Sequence, residues 1–456
     1  MVAREWSYDL LSEDEQRLYR RLSVFAGGWT LAAAEAVAGS PGSGELGLDV
    51  LEGLGRLVDH SLVRQVEGAA GEDRFTMLET IREYGLAQLE AGGEAEEARE
   101  RHALHFLSVV ETAEQALLLG REQGTWLDRL EVEHDNLRAA LGWGLAHDAP
   151  LALRLAAAAG RFWYARGHVA EGRDWTERAL AAAGDEPSVP RVRALAWLGD
   201  FFLFQGDPVR ASELAEASLA MARALGDTLG EIRALNDLGW ISLQAGDPIR
   251  SRHTFEEAAG LARAIGDERW EHGTLANLSN TYHALGEFSK ARAAAEKVLA
   301  WSRRTDDLMG VAMALTSLAE ISRDDGDLAG AVGQNREALV LAHTHHDRLG
   351  AGITLRSIAS LALLVPTASV PEYDRAARLF GAADAVREVA GAGYEGLESP
   401  SREPDLASLR ATLGEPAFTA AWEAGRALSL DEAIAEALAL ADALARGAPA
   451  PPPDTA

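Results

Sequence analysis

The chain contains no cysteine. Disulfides, thiolate zinc sites and cysteine nucleophiles are therefore all excluded. Lysine is nearly missing as well. It occurs only at Lys290 and Lys297, so the 43 basic residues are almost entirely arginine. They are outnumbered by 71 acidic residues, which leaves a net charge of −28. A surface this acidic repels phosphate backbones over most of its area and disfavours nonspecific nucleic-acid binding. No run of eighteen uncharged apolar residues occurs, so no membrane span is expected. The opening MVAREWSYDLLSEDEQ is charged and lacks an apolar core, so no signal peptide is evident and a cytoplasmic location is expected. The phosphate-loop pattern G-x-x-x-x-G-K-S/T is absent, and neither lysine follows a glycine. No HExxH and no nucleophile elbow occur either. Acidic pairs one helical turn apart, such as Glu79 and Glu83, are expected by chance at this composition. The sequence thus predicts no catalysis, no cofactor and no metal.

What is present is a forty-residue period. A glycine followed by an acidic residue recurs as Gly206-Asp207, Gly246-Asp247, Gly286-Glu287 and Gly326-Asp327. A second beat in the same phase falls at Gly226-Asp227, Gly266-Asp267, Asp306-Asp307 and His346-Asp347. Two punctuation marks per period predict two helices per period, the pattern of a stacked helix-pair solenoid. Leu195, Leu235, Leu275 and Leu315 form one column. Leu198, Leu238, Leu278, Leu318 and Ile358 form another three residues on, hence on the same helical face. Small residues follow at Gly199, Gly239, Ser279, Ala319 and Ala359. They are answered on the second helix by Ala211, Ser251, Ala291 and Ala331. In Gly206-Asp207-Pro208 and Gly246-Asp247-Pro248, glycine ends one helix, aspartate caps the next and proline suits its first position. Gly286-Glu287-Phe288 is weaker because glutamate caps poorly, and Ser289 is expected to take over.

Leu198-Gly199 with Ala211 twelve residues later, repeated as Leu238-Gly239 with Ser251, resembles the tetratricopeptide repeat. Tyr282 stands where that family favours an aromatic ring. The usual period is about 34 residues, so these helices are longer by about a turn. Four good units are expected, with a degenerate one at Gly167 and a broken one from Ala351, interrupted by Pro366 and Pro371.

The N-terminal part reads differently. Ser12-Glu13-Asp14-Glu15 is a capping box ahead of Leu18, Leu22 and Phe25. Thr30 is expected to cap a second helix, and a third spans about Leu48 to His60. A hairpin follows (Leu62 to Val66, then Arg74 to Met77), and then a helix from Glu79. Three helices and a two-stranded wing predict a winged helix. The strings WSYDLLSEDEQRLYRRLSVFAGGWTLAAAEAV, GRLVDHSLVR and FTMLETIREYGLAQL resemble the segment after the nucleotide-binding module of STAND-type bacterial transcription regulators of the LuxR and AfsR-like kind. EVEHDNLRAALGW resembles their bridge into the repeats. RAARLFGAADAVRE and AWEAGRALSLDEAIAEAL resemble the end of their sensor region. The resemblance implies a sensor and partner-binding portion without the family's ATPase motor or its terminal helix-turn-helix.

The expected architecture is mostly α: a tetratricopeptide-like α-solenoid preceded by a small winged-helix domain with a β-hairpin wing. Its parts are a winged-helix-like domain (1–95), a helical bridge (96–165), repeats of period 40 (166–365), a C-terminal helical cap (366–446) and a disordered tail (447–456). DNA contact through the third helix is unexpected. That helix offers Asp49, Glu52, Arg56, Asp59 and His60, and residues 1–95 hold eight arginines against seventeen acidic residues. His343-Thr344-His345-His346 reads as a helix C-terminus rather than a metal set. His102 and His105 read as a solvated helix edge. The repeat resemblance places ligand-facing positions on the first helix of each pair. Mapped here they are Arg193, Asp200, Arg233, Asn236, Trp240 and Asn280, continuing as His283, Thr316, Glu320, Arg323 and Arg356. Asparagine and arginine can grip peptide backbone and carboxylates, and Trp240 can anchor. Leu203 and Leu243 make the stripe partly apolar. The expected partner is a protein or peptide segment, with docking in trans on a separate nucleotide-binding ATPase as an alternative for the winged module.

Overall fold

The computed structural model describes residues 8–39, 46–68, 72–117, 123–344, 348–390 and 402–448. Of the tail expected at 447–456, residues 449–456 lie outside them, as do His345 and His346, whereas Gly447 belongs to the last helix. Two compact units divide the chain, Met1–Gly230 and Glu231–Ala456.

Unit 1 opens with α1 (Glu13–Leu22). The Ser12 hydroxyl accepts the Glu15 N–H, and the Glu15 carboxylate accepts the Ser12 N–H at 2.7 Å. This reciprocal cap satisfies two of the helix's orphan donors. Next come β1 (Trp29–Thr30), α2 (Leu31–Ala38), α3 (Val50–Asp59), β2 (Arg64–Glu67), β3 (Asp73–Thr76) and α4 (Glu79–Ala91). The sheet is antiparallel with order β1-β3-β2, and both Trp29 and Gln65 stand opposite Phe75. The hairpin is where the sequence places it, but β1 is an addition. Thr30 caps α2 as expected, accepting the Ala33 N–H at 3.2 Å, and is also a strand residue. A two-residue strand carries no alternation for a sequence reading to detect.

Seven further helices complete unit 1: α5 (Ala95–Leu117), α6 (Gln123–Val132), α7 (His134–His147), α8 (Ala149–Arg166), α9 (Val169–Ala182), α10 (Val189–Phe204) and α11 (Pro208–Leu225). One apolar cluster runs from Tyr8 through Phe106, Leu141 and Trp163 to Leu214. The winged helix, the bridge and the first helical pairs therefore share a core. The degenerate pair is present, with α8 and α9 joined at Gly167.

α12 (Thr228–Gln244) runs across the division into unit 2. There it is followed by α13 (Pro248–Ile265), α14 (Glu268–Ala284), α15 (Phe288–Arg304), α16 (Leu308–Asp324), α17 (Leu328–Thr344), α18 (Arg348–Leu361), α19 (Val370–Ala390), α20 (Arg402–Leu413), α21 (Glu415–Arg426) and α22 (Leu430–Gly447). The forty-residue columns are core positions. Leu198, Leu238, Leu278, Leu318 and Ile358 are buried, and Ala211, Ser251, Ala291 and Ala331 are fully so. The small residue at Gly239 is required by a close approach, since a Cβ there would stand 2.7 Å from the Phe255 ring.

Both beats of the period form one turn. The acidic residue's N–H returns to a carbonyl five residues back, as from Asp207 to Phe202, Asp227 to Ala222 and Asp267 to Ala262, at 2.9–3.0 Å. The same aspartates then cap the following helix, with Oδ1 accepting the N–H of Arg210, Gly230 and Trp270. The position before the aspartate needs a left-handed backbone, supplied by glycine at Gly226 and Gly266. Asp306 takes it at φ 55°, and aspartate is among the few L residues that tolerate this region.

Two local expectations are corrected. Ser289 does not cap α15. That helix starts at Phe288 behind Glu287, which makes no side-chain cap bond, so the chain keeps the repeat's register at the expense of a cap. Pro371 does not interrupt a helix but sits in the first turn of α19, where its missing N–H costs nothing.

Candidate functional site

In unit 2 the first helices of the pairs carry a strip of half-buried polar side chains. Arg233, Trp240, Asn280, His283, Thr316, Glu320, Arg323 and Arg356 all fall on it. Spacings of three, four and seven keep each helix's contribution on one face. Asn236 is the exception and is corrected here. It is 7% exposed, and its amide is committed within the fold. Nδ2 donates to the Ile232 carbonyl at 2.9 Å and to Thr274 Oγ1 at 3.0 Å, while Oδ1 accepts from Asn277 at 3.2 Å. It binds α12 to α14 rather than gripping a ligand. Ser317 makes a lesser link, donating to Asn280 Oδ1 at 3.4 Å.

Several charged groups on this face are paired. Arg233 lies 3.6 Å from Asp237. His283 stands 2.8 Å from Asp324, whose other oxygen accepts from Arg323 at 2.7 Å. Burial pushes the Asp324 carboxyl up, but the bonds and charges of His283 and Arg323 outweigh it and hold the group well below the usual carboxylate range. Trp240 packs one side against Phe255, Ala259 and Leu278 and stays half-exposed. Thr316 returns its hydroxyl to the Ala312 carbonyl. In unit 1, Arg193 is exposed and 3.1 Å from Glu114, and Asp200 is half-buried.

The winged helix is held by a buried polar network that sequence reasoning missed. Asn136 of α7 is fully buried. Its Oδ1 accepts the Ala26 N–H at 2.7 Å, and its Nδ2 donates to the Gly28 carbonyl at 2.8 Å and to Glu133 at 2.7 Å. Glu133 forms a buried ion pair with Arg74 of β3. His102 of α5 completes the network, 3.3 Å from Asn136 Oδ1 and packed on Phe25 and Phe106. The solvated-edge expectation is wrong for His102, which is 3% exposed. Burial lowers its pKa to about 4. His105 is half-buried and likewise lowered by burial. The signal was available: Glu133, His134 and Asn136 are the polar centre of EVEHDNLRAALGW.

The outward residues of α3 are Leu51, Glu52, Gly55, Arg56 and Asp59. Arg56, the basic group among them, is tied to Glu15 at 3.0 Å and Glu52 at 2.6 Å. His343 is 3.6 Å from Asp431. Glu131, His134 and His168 form a further cluster, unforeseen in the sequence. Among the described residues no helix is long and apolar enough to cross a membrane.

These elements define a protein with a winged helix-turn-helix domain and tetratricopeptide repeats. Family models agree: a winged helix-turn-helix domain matches residues 11–90, and tetratricopeptide repeats match 191–264 and 272–305. The chain is similar to a protein of Mycobacterium tuberculosis named as a candidate HTH-type transcriptional regulator. The two are 35% identical over 238 residues, covering 49% of this chain and 26% of the relative. The match thus spans about a quarter of that relative's length. Among solved structures, a STAND protein with a tetratricopeptide repeat sensor from Pyrococcus horikoshii is 16% identical, with a TM-score of 0.44, covering 89% of this chain and 66% of that one. A Rap protein complexed with competence and sporulation factor is 12% identical, with a TM-score of 0.46, covering 75% and 99%.

Proposed function

We infer that this chain is the sensor portion of a cytoplasmic transcription regulator of the STAND, LuxR or AfsR-like kind, and that it works by non-catalytic protein–protein interaction. A peptide or protein segment binds the first-helix face of unit 2. The observation that carries this reading is the strip from Arg233 to Arg356, where Arg233 and Arg323 are paired with aspartates, His283 with Asp324, and the Trp240 ring is packed on the core. Pre-positioned groups lose little entropy when a ligand arrives, which favours recognition. Arginine and asparagine suit carboxylates and backbone amides, and the half-exposed face of Trp240 suits an apolar side chain.

Affinity capture from native lysate with mass spectrometry tests it, comparing the wild type with an Arg233→Glu, Glu320→Arg double variant. These positions lie on the strip without entering the leucine columns, so helicity should be retained. The expected outcome is loss of the captured partner. Unchanged capture removes the face from the proposal.

The match to a winged helix-turn-helix domain favours a second reading, direct DNA binding. The acidic outward face of α3 and the pairing of Arg56 oppose it. Saturable, sequence-dependent retardation in a low-salt mobility-shift assay would establish it. In a third reading the winged module docks in trans on a separate nucleotide-binding ATPase, which should then co-purify with the chain.

A further inference from the structure

Glu131, His134 and His168 meet in unit 1, and the partner-binding reading gives them no role. Glu131 lies in the last turn of α6, His134 opens α7, and His168 precedes α9. One donor atom of each lies within 4.8 Å of the other two. His168 Nε2 is 3.1 Å from both Glu131 oxygens. His134 is only 6% exposed, and its Nε2 is covered yet makes no hydrogen bond. Glu171 Oε1 lies 3.4 Å from that nitrogen, but Arg138 already grips both Glu171 oxygens at 2.7 Å. A buried polar atom left unpaired calls for a ligand that the fold does not itself supply.

We propose that these three side chains form a site for one divalent transition-metal ion of the zinc, cobalt or nickel class. Two imidazoles and one carboxylate are the donors this class prefers. Calcium and magnesium demand a shell of oxygens that the site lacks. Bonds of about 2.1 Å in a tetrahedron put the ligand atoms about 3.4 Å apart; His168 and Glu131, at 3.1 Å, already lie within that spacing, and the His134 donor, within 4.8 Å of both, closes the rest by a side-chain adjustment. Glu131 is exposed, which gives the ion a route in and leaves the fourth position to water. The surrounding charges are Asp128, Glu131, Asp135 and Glu171 against Arg138 and Arg166. Their balance is negative and favours a cation. A bound ion would tie the α6–α7 corner to the α8–α9 corner.

The test uses the full chain, stripped with chelator and titrated with Zn2+ by calorimetry and with Co2+ by visible absorption. One equivalent should bind with a Kd of about 1 µM or tighter, and Co2+ should show the intense bands of a tetrahedral site. His168→Ala should weaken binding by about 30-fold or more. His168 makes no capping bond and is partly exposed, so circular dichroism should show the fold intact. Glu131→Gln should weaken binding as well, and His343→Ala should leave it unchanged. The proposal is overturned if no saturable site appears, if His168→Ala binds as the wild type does, or if His343→Ala removes the binding.

Discussion

Lowering the pH from 7 to 5 should loosen the seat of the winged helix through one side chain, His102. The imidazole is buried against Phe25 and Phe106, and burial holds its pKa at about 4 against an ordinary 6.5. Between those values the unfolded chain binds a proton that the folded chain refuses. Stability from this group is therefore complete above pH 6.5 and is lost as the pH falls toward 4. The full gap is worth roughly 3 kcal/mol, and the step from pH 7 to pH 5 takes about 2 kcal/mol of it. Glu15, Glu94 and Glu171 also have carboxyls held below their usual range, but their stabilisation is lost only at lower pH. His105 and His134, both lowered by burial, contribute with the same sign and cancel in a comparison of variants. His102→Gln keeps a donor toward Asn136 and removes the titration. Hydrogen exchange of α5 and α7 peptides, corrected for intrinsic rates, should show the wild type losing about 2 kcal/mol more protection than the variant between pH 7 and pH 5. Equal losses in the two proteins would refute the reasoning.

Two further predictions concern stability. In Gly425→Ala the new methyl would overlap the Arg378 carbonyl, because α19 and α21 cross there with backbones in contact. Overpacking against backbone should cost about 3 kcal/mol, seen as a lower midpoint in urea. Arg74→Leu leaves Glu133 buried with its remaining donor from Asn136, and should cost about 3–5 kcal/mol by the same measurement. A loss under about 1 kcal/mol, the level of an exposed pair, would show that the pair is not effectively buried.

The repeats were legible because their signal is periodic. A leucine, a small residue and a Gly-Asp step recur at a fixed interval, and each has one physical job. The hairpin was legible from its β-branched and turn residues. β1 was not, because two residues hold no pattern and its pairing with Phe75 is long-range in the chain. At the candidate face, the first-helix positions could be named from the repeat phase, yet burial could not. Asn236 shares its column with Ala196, Ala276, Thr316 and Arg356, and nothing in that column says that Asn277 and Thr274 will close over the amide. His102 was misread because an i, i+3 histidine pair looks like a solvated edge until the winged helix is laid on it. The three residues proposed as a metal site come from α6, α7 and the corner between α8 and α9, and only the packing of the bridge on α8 and α9 brings them together.

The amide of Asn236 has a bearing on how freely this array could be cut and rejoined. The leucine and alanine columns recur from one unit to the next, so excising forty residues would leave those two columns in phase. The polar rungs are not interchangeable. One period beyond Thr274 stands Ala314, and beyond Asn277 stands Ser317, so a shortened chain would present a sealed amide with a methyl and a single hydroxyl. Each joint thus bears its own label, and shuffled modules would mate in register yet carry a penalty of about 1–3 kcal/mol at the wrong address.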